Sequence, residues 1–195
     1  MTGNTVILGL AIAGVQPLSA MRSALAIAAY MGGAAVATIV ADSTPDRQGR
    51  LWPSGATNAF ISEFLVLLAF AVGGVLVARA FSSDLAYIFI ALAAMAMGMQ
   101  SVGVNTMGIS GVSTTYITGT YTSLVINLLR WRRSSSSETA VKRKSDAARQ
   151  ATVVLVYVLA AIAGGITETH LSLDAAIIPV TVVGAVIIVA KIRLR

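Results

Sequence analysis

The sequence has no cysteine and few charged residues, and both shortages narrow what the protein can be. Without cysteine there are no disulfides, no thiolate metal ligands and no cysteine nucleophile. Charged residues make up 11% of the chain and hydrophobic residues 56%, whereas a soluble domain carries about 25% charged residues. So few charges cannot cover a surface that faces water. A lipid bilayer is the solvent that this composition suits.

The shortage of histidine and the absence of catalytic motifs argue against an enzyme. His170 is the single histidine, and the sequence contains no nucleophile elbow, no paired histidines on a helix and no phosphate-binding loop. Glu168, His170 and Asp174 form a weak pattern for a metal site, and a solvated turn is the preferred interpretation. We therefore expect no catalytic residues, no metal and no cofactor.

Long apolar stretches predict an all-α, polytopic transmembrane bundle of about seven helices in a single domain, 1–195. A transmembrane helix needs about 20 mostly apolar residues. The predicted segments cover residues 5–15, 22–41, 57–80, 85–104, 114–129, 151–166 and 171–190. The first is short and stops near Pro17, so that it either crosses or re-enters. A basic linker, 130–149, joins the fifth and sixth helices, and its serine-rich part over residues 134–149 is predicted to be solvated and mobile.

The basic residues predict an orientation rather than nucleic-acid binding, despite a net charge of +6. If all seven segments cross, twelve of the fourteen Lys and Arg residues lie on one side, and only Arg47 and Arg50 lie on the other. Cytoplasmic loops are enriched in Lys and Arg. We therefore expect a multi-pass protein of the cell membrane, inner or plasma, with a cytoplasmic C-terminus and linker. The oligomeric state, including a homo-oligomer, is left open.

Two similar stretches suggest an internal repeat. Thr2-Gly3-Asn4 opens the first segment, Thr118-Gly119-Thr120 opens the fifth, and the next segment in each case carries a glycine pair, Gly32-Gly33 or Gly164-Gly165. With all segments crossing, the two halves have the same orientation, which indicates two parallel repeats. The orientation also places the N-terminus outside. We therefore expect either a lost preceding helix or a misassigned start at Met1.

Three motifs resemble the YoaK family of uncharacterised bacterial membrane proteins, which is known by a domain of unknown function. They are Met1-Thr2-Gly3-Asn4-Thr5, Met97-Gly98-Met99-Gln100 and Gly111-Val112-Ser113-Thr114-Thr115-Tyr116-Ile117-Thr118-Gly119-Thr120. The order and spacing match over nearly the whole chain. The resemblance implies a multi-pass membrane protein, with a further helix before the first motif in most members. It implies no activity.

A hydroxyl-rich stretch offers one candidate site, which includes Thr114, Thr115, Thr118, Gly119 and Thr120. The N-terminus of a helix presents free N–H groups that favour an anion or a polar solute. The Thr2-Gly3-Asn4 helix would supply a second such end, and Gln100 lies close in sequence. However, small hydroxyl residues also let membrane helices pack closely. For the two motifs together, we weigh the two interpretations equally.

Glu63 is the one acidic residue that falls well within a predicted span, since Asp174 belongs to the outer turn at the start of the last one. A carboxylate there suggests coupling to protons or cations. Because Glu63 lies about two turns inside the segment, an interfacial position is the slightly preferred interpretation. Taken together, these features favour a transporter or permease for a small polar or anionic solute. The alternative is a non-transporting scaffold or assembly partner.

Overall fold

The computed structural model describes residues 1–44, 52–77, 82–108, 117–132, 137–171 and 175–193. Across these residues the fold is all-α, as predicted, with seven α-helices. They are α1 Thr2–Ala13, α2 Pro17–Asp42, α3 Ser54–Val77, α4 Ser83–Thr106, α5 Ile117–Arg132, α6 Ser137–Leu171 and α7 Ile177–Arg193. The chain divides into two compact units, 1–107 with 171–195, and 108–170. Each unit is described by itself.

Four of the described helices are long and apolar enough to cross a membrane, namely α2, α3, α4 and α6. The apolar helices α1 and α7 have 12 and 17 residues. At 1.5 Å per residue they cover about 18 and about 26 Å, against about 30 Å for the hydrocarbon core of a bilayer. The seven predicted helices are therefore confirmed as helices, and a membrane-spanning length is confirmed for four of them.

The predicted mobile linker over residues 134–149 is wrong for most of its length. The helix α5 continues to Arg132, and α6 begins at Ser137 and runs for 35 residues. The residues 133–136 lie outside the described part. Ala, Lys, Arg and Gln are strong helix formers, and Ala147 and Gln150 are buried while most of their neighbours are exposed. The basic stretch is thus the polar start of a long helix.

A tight turn joins α1 to α2. The N–H of Gln16 donates to the carbonyl of Ala11, and the N–H of Val15 donates to the carbonyl of Ile12. This pair of bonds is the Schellman motif that ends many helices, and Val15 holds the left-handed position that glycine normally takes, with φ of 52°. Pro17 then starts α2, where its missing N–H costs nothing.

The core of the first unit lies where α2, α3 and α4 meet. Ala37, Ala59 and Met99, one from each helix, form its buried centre. Along α3, Gly55 and then Ala59 meet Ala41 and Ala37 of α2, whereas Phe60 and then Gly73 meet Gly103 and Phe89 of α4. The partner numbers fall as the numbers along α3 rise, so α3 runs antiparallel to both other helices. Therefore α2 and α4 run parallel to each other.

The helices α2 and α4 approach most closely at two glycines. A Cβ on Gly33 would collide with the backbone carbonyl of Met95, and a Cβ on Gly98 would collide with that of Tyr30. Small residues allow such close approach between membrane helices. The same crossing is bridged by the Tyr30 hydroxyl, which donates to Ser101 Oγ at 2.9 Å.

The second unit is an antiparallel pair of helices, α5 and α6. Asn127 Nδ2 donates to Gln150 Oε1 at 3.1 Å, and the ammonium of Lys144 lies 5.6 Å from the ring centre of Trp131. As residue numbers rise along α5, those of their partners fall along α6. Gln150 is buried, so the amide pair satisfies a polar group that would otherwise be costly to bury.

Candidate functional site

A pocket of about 380 Å³ opens between α1, α2 and α4. Its polar side comes from Asn4 in the first turn of α1 and from Arg22 and Ser23 near the start of α2. The rest of the lining is apolar and is formed by Met1, Ala26, Ile90, Ala93, Ala94 and Met97. One cation, a hydroxyl and an amide thus face a mainly apolar wall.

Arg22 supplies the positive charge of this pocket. Its guanidinium lies 5.8 Å from the ring centre of Tyr87 on α4, a separation at which a cation is attracted to the ring face. In the part of the chain that the structure describes, Arg22 has no carboxylate within salt-bridge distance. The neighbouring Ser23 is buried, with 6% of its surface exposed. Arg22 is therefore positioned by an aromatic ring and keeps its charge available for an anion.

The first predicted helix start contributes to the pocket through a single residue. Asn4 lines it, and its amide also donates to Met1 Sδ at 3.4 Å. Thr2 and Gly3 belong to the same turn of α1 but are exposed and lie outside the lining. Gln100 is half-buried on α4, about one turn beyond Met97, and also lies outside it.

The second predicted helix start lies in the other compact unit. Thr114 and Thr115 fall outside the described residues, and Thr118 and Gly119 are exposed in the first turn of α5. Thr120 is 1% exposed, and its Oγ1 has no hydrogen-bond partner among the described residues. Because each unit is described by itself, a site shared by the two helix starts stays a prediction.

Glu63 is buried in the core of the first unit, with 2% of its surface exposed. It follows Ala59 and Phe60, also buried, by one turn of α3 and therefore lies on the same face. Its Oε2 has no hydrogen-bond partner among the described residues. The preferred interpretation, a side chain that reaches the interface, is wrong, because the face of α3 that carries Glu63 packs into the protein.

Arg22 and Ser23 were missed as site residues. Arg22 counted as an orientation signal, because Lys and Arg at the ends of spans usually have that role. The available clue was its position, at the start of an uncharged stretch, residues 23–41, that also holds Tyr30. The helix contacts that bring Arg22 near Tyr87 and into one pocket with Asn4 cannot be read from one helix alone.

Comparisons with known proteins agree with this description of a membrane protein. A family model described as "Protein of unknown function (DUF1275)" matches residues 1–190. The UPF0700 transmembrane protein YoaK of Bacillus subtilis (strain 168) is 29% identical over 195 residues, which is 100% of this chain and 82% of that relative. No solved structure matches significantly. The resemblance found in the motifs is thus confirmed.

Proposed function

We propose that this chain, which belongs to the DUF1275 family of proteins of unknown function, is a permease for a small organic anion. The supporting observation is the pocket between α1, α2 and α4, which combines Arg22 with apolar walls inside a multi-pass membrane protein. Ligand sites are typically concave and mostly apolar, with a few polar groups that fix orientation. This pocket has that composition.

The lining favours an anion with an apolar part. Arg22 presents a guanidinium that suits a carboxylate or sulfonate in two-point hydrogen bonding. Ser23 and Asn4 add a hydroxyl and an amide at the same end, whereas Ala26, Ile90 and neighbouring side chains offer no hydrogen bonds to a second charged group. A fully polar ion such as sulfate would leave part of its surface against apolar walls, at a cost in desolvation.

The orientation is part of the same proposal. We place the protein in the cell membrane with its C-terminus in the cytoplasm, on the basis of the uneven distribution of Lys and Arg. The start of α6, with Lys142, Arg143 and Lys144, then lies on the cytoplasmic side, where it faces anionic lipids.

Uptake into vesicles tests the permease. Purified protein in liposomes is given labelled propanesulfonate, benzenesulfonate or lactate, with sulfate as the fully polar comparison. We expect uptake of at least one organic anion, and a loss of about tenfold or more in Arg22→Gln, because a hydrogen bond to a charged group contributes about 1.5–3 kcal/mol. Arg132→Gln, an exposed arginine on α5, is the matched control and should transport normally.

Two results would reject the proposal. The first is that none of these anions enters the vesicles faster than into protein-free liposomes. The second is that Arg22→Gln transports as fast as the wild type. Binding of an anion at Arg22, measured as a thermal shift, without any uptake would instead favour a non-transporting membrane protein.

A further inference from the structure

Glu63 lies outside the anion pocket, on the face of α3 that packs into the core of the first unit. We propose that it is a proton-binding site, which takes up and releases one proton for each anion carried; this inference rests on the proposed permease function. The carboxyl is 2% exposed and its Oε2 lacks a hydrogen-bond partner among the described residues. Ionisable groups buried in membrane spans commonly serve as proton relays.

A proton suits this position better than a metal cation. Hard cations such as Na⁺ or Ca²⁺ need several oxygen ligands, and the core around the Glu63 face of α3 is built from Ala37, Ala59 and Met99. These side chains offer no oxygen. A proton needs only the carboxylate itself.

The helices packed against α3 supply no basic partner for the carboxylate. Between Ser23 and Ala41, α2 has Tyr30 as its only titratable residue, and α4 has only Tyr87 between residues 85 and 106. The α7 span over residues 177–190 has none. The Tyr30 hydroxyl donates to Ser101. Among the described residues, Glu63 is therefore not one half of a buried ion pair, which would be the ordinary structural role for such a residue.

The helix α4 links the two sites. Met97 lines the anion pocket, and Met99, two residues further, belongs to the core cluster that Glu63 adjoins. A movement of α4 against α2 at the glycine crossing would therefore change both sites together. An anion on Arg22 and a proton on Glu63 carry no net charge, so their transport in the same direction is electrically neutral. The proton comes from water on one side and is released to water on the other.

A sulfonate is a clean probe for this coupling. Benzenesulfonate is a strong acid and does not carry protons across a bilayer by itself. In liposomes that contain a pH-sensitive dye, wild-type protein should acidify the lumen as benzenesulfonate enters. Glu63→Gln should still exchange labelled for unlabelled benzenesulfonate, but should move no more protons than empty liposomes. Glu63→Asp, which keeps a carboxyl, should restore part of the proton signal, and Glu168→Gln on α6 is the exposed control.

The outcomes separate the two proposals. If Glu63→Gln acidifies the lumen like the wild type, proton binding at Glu63 is rejected and the permease stands. If the wild type takes up no benzenesulfonate, infrared spectroscopy of the purified protein decides the question. A carboxylic C=O band that changes with pH and is missing in Glu63→Gln supports a proton site without the permease. A Glu63 band that does not change between acidic and alkaline buffer rejects it.

Discussion

At the scale of single residues, Val15 holds a backbone conformation that its side chain disfavours. Among the residues that the structure describes, Val15 is the non-glycine residue with a positive φ, which is 52°. Its side chain is 86% exposed. A β-branched residue in the left-handed region costs about 1–2 kcal/mol, whereas glycine adopts it freely. Since the exposed side chain offers little packing in return, the turn between α1 and α2 stores strain.

Replacing Val15 by glycine should therefore stabilise the protein. We expect Val15→Gly to raise the free energy of unfolding by about 1 kcal/mol, which corresponds to a rise of about 2–4 °C in Tm for a chain of this size. Thermal unfolding in detergent measures it. Val15→Ala is the control and should raise the free energy of unfolding by less, because alanine keeps a Cβ at a residue with positive φ. A lower Tm for the glycine variant would show that the valine side chain packs more than it strains.

The same scale shows how far the sequence predicts a site. Glu63 could be identified as a residue of interest from its type, because a carboxylate in an apolar stretch is rare. Its burial could not be predicted, since α3 carries apolar residues on every side and no polar stripe marks the face that points away from the protein. Arg22 has the opposite problem. Its position at a helix start fits an orientation signal as well as a site.

At the scale of helices, the contact between α2 and α4 depends on glycine at two positions. Gly33→Ala should lower stability by about 1–3 kcal/mol, since its Cβ would meet the carbonyl of Met95 and force the helices apart. Gly32→Ala is a matched control one residue away, with no neighbour within 4 Å of the added Cβ. Gly32→Ala should therefore cause no loss of stability. Equal Tm values for the two variants in detergent would contradict the close crossing.

Helix boundaries were predicted less well than helix existence. Hydrophobic length alone locates α2, α3 and α4, because each is a long apolar stretch between polar turns. The start of α6 was missed because charge was taken as a sign of a solvated linker. The first turns of α6 contact α5 through Gln150 and Lys144. Such a contact depends on both helices and cannot be predicted from the periodicity of the α6 sequence alone.

At the scale of the whole molecule, composition predicts an all-α membrane protein, because a chain with few charges and long apolar stretches cannot cover a surface that faces water. The parallel repeat stays a prediction. The glycine pairs Gly32-Gly33 and Gly164-Gly165 follow the two similar motifs, but no atom lies within 4 Å of a Cβ added to either glycine of α6 in the described residues. Among the described residues, a close helix contact is thus found at Gly33 of the pair in α2 and is not found for the pair in α6.

The orientation of α6 can be tested at its two ends, because this helix is long enough to extend beyond both edges of a bilayer. Ser145 and His170 are both exposed, and their separation of 25 residues corresponds to about 37 Å of helix, more than the hydrocarbon core of about 30 Å. The chain has no cysteine, so Ser145→Cys and His170→Cys each give a single thiol. In intact cells, a membrane-impermeant maleimide should label His170→Cys and should label Ser145→Cys only after the cells are opened. The reverse pattern would place the C-terminus outside and overturn the orientation, and labelling of both thiols in intact cells would show that α6 does not cross.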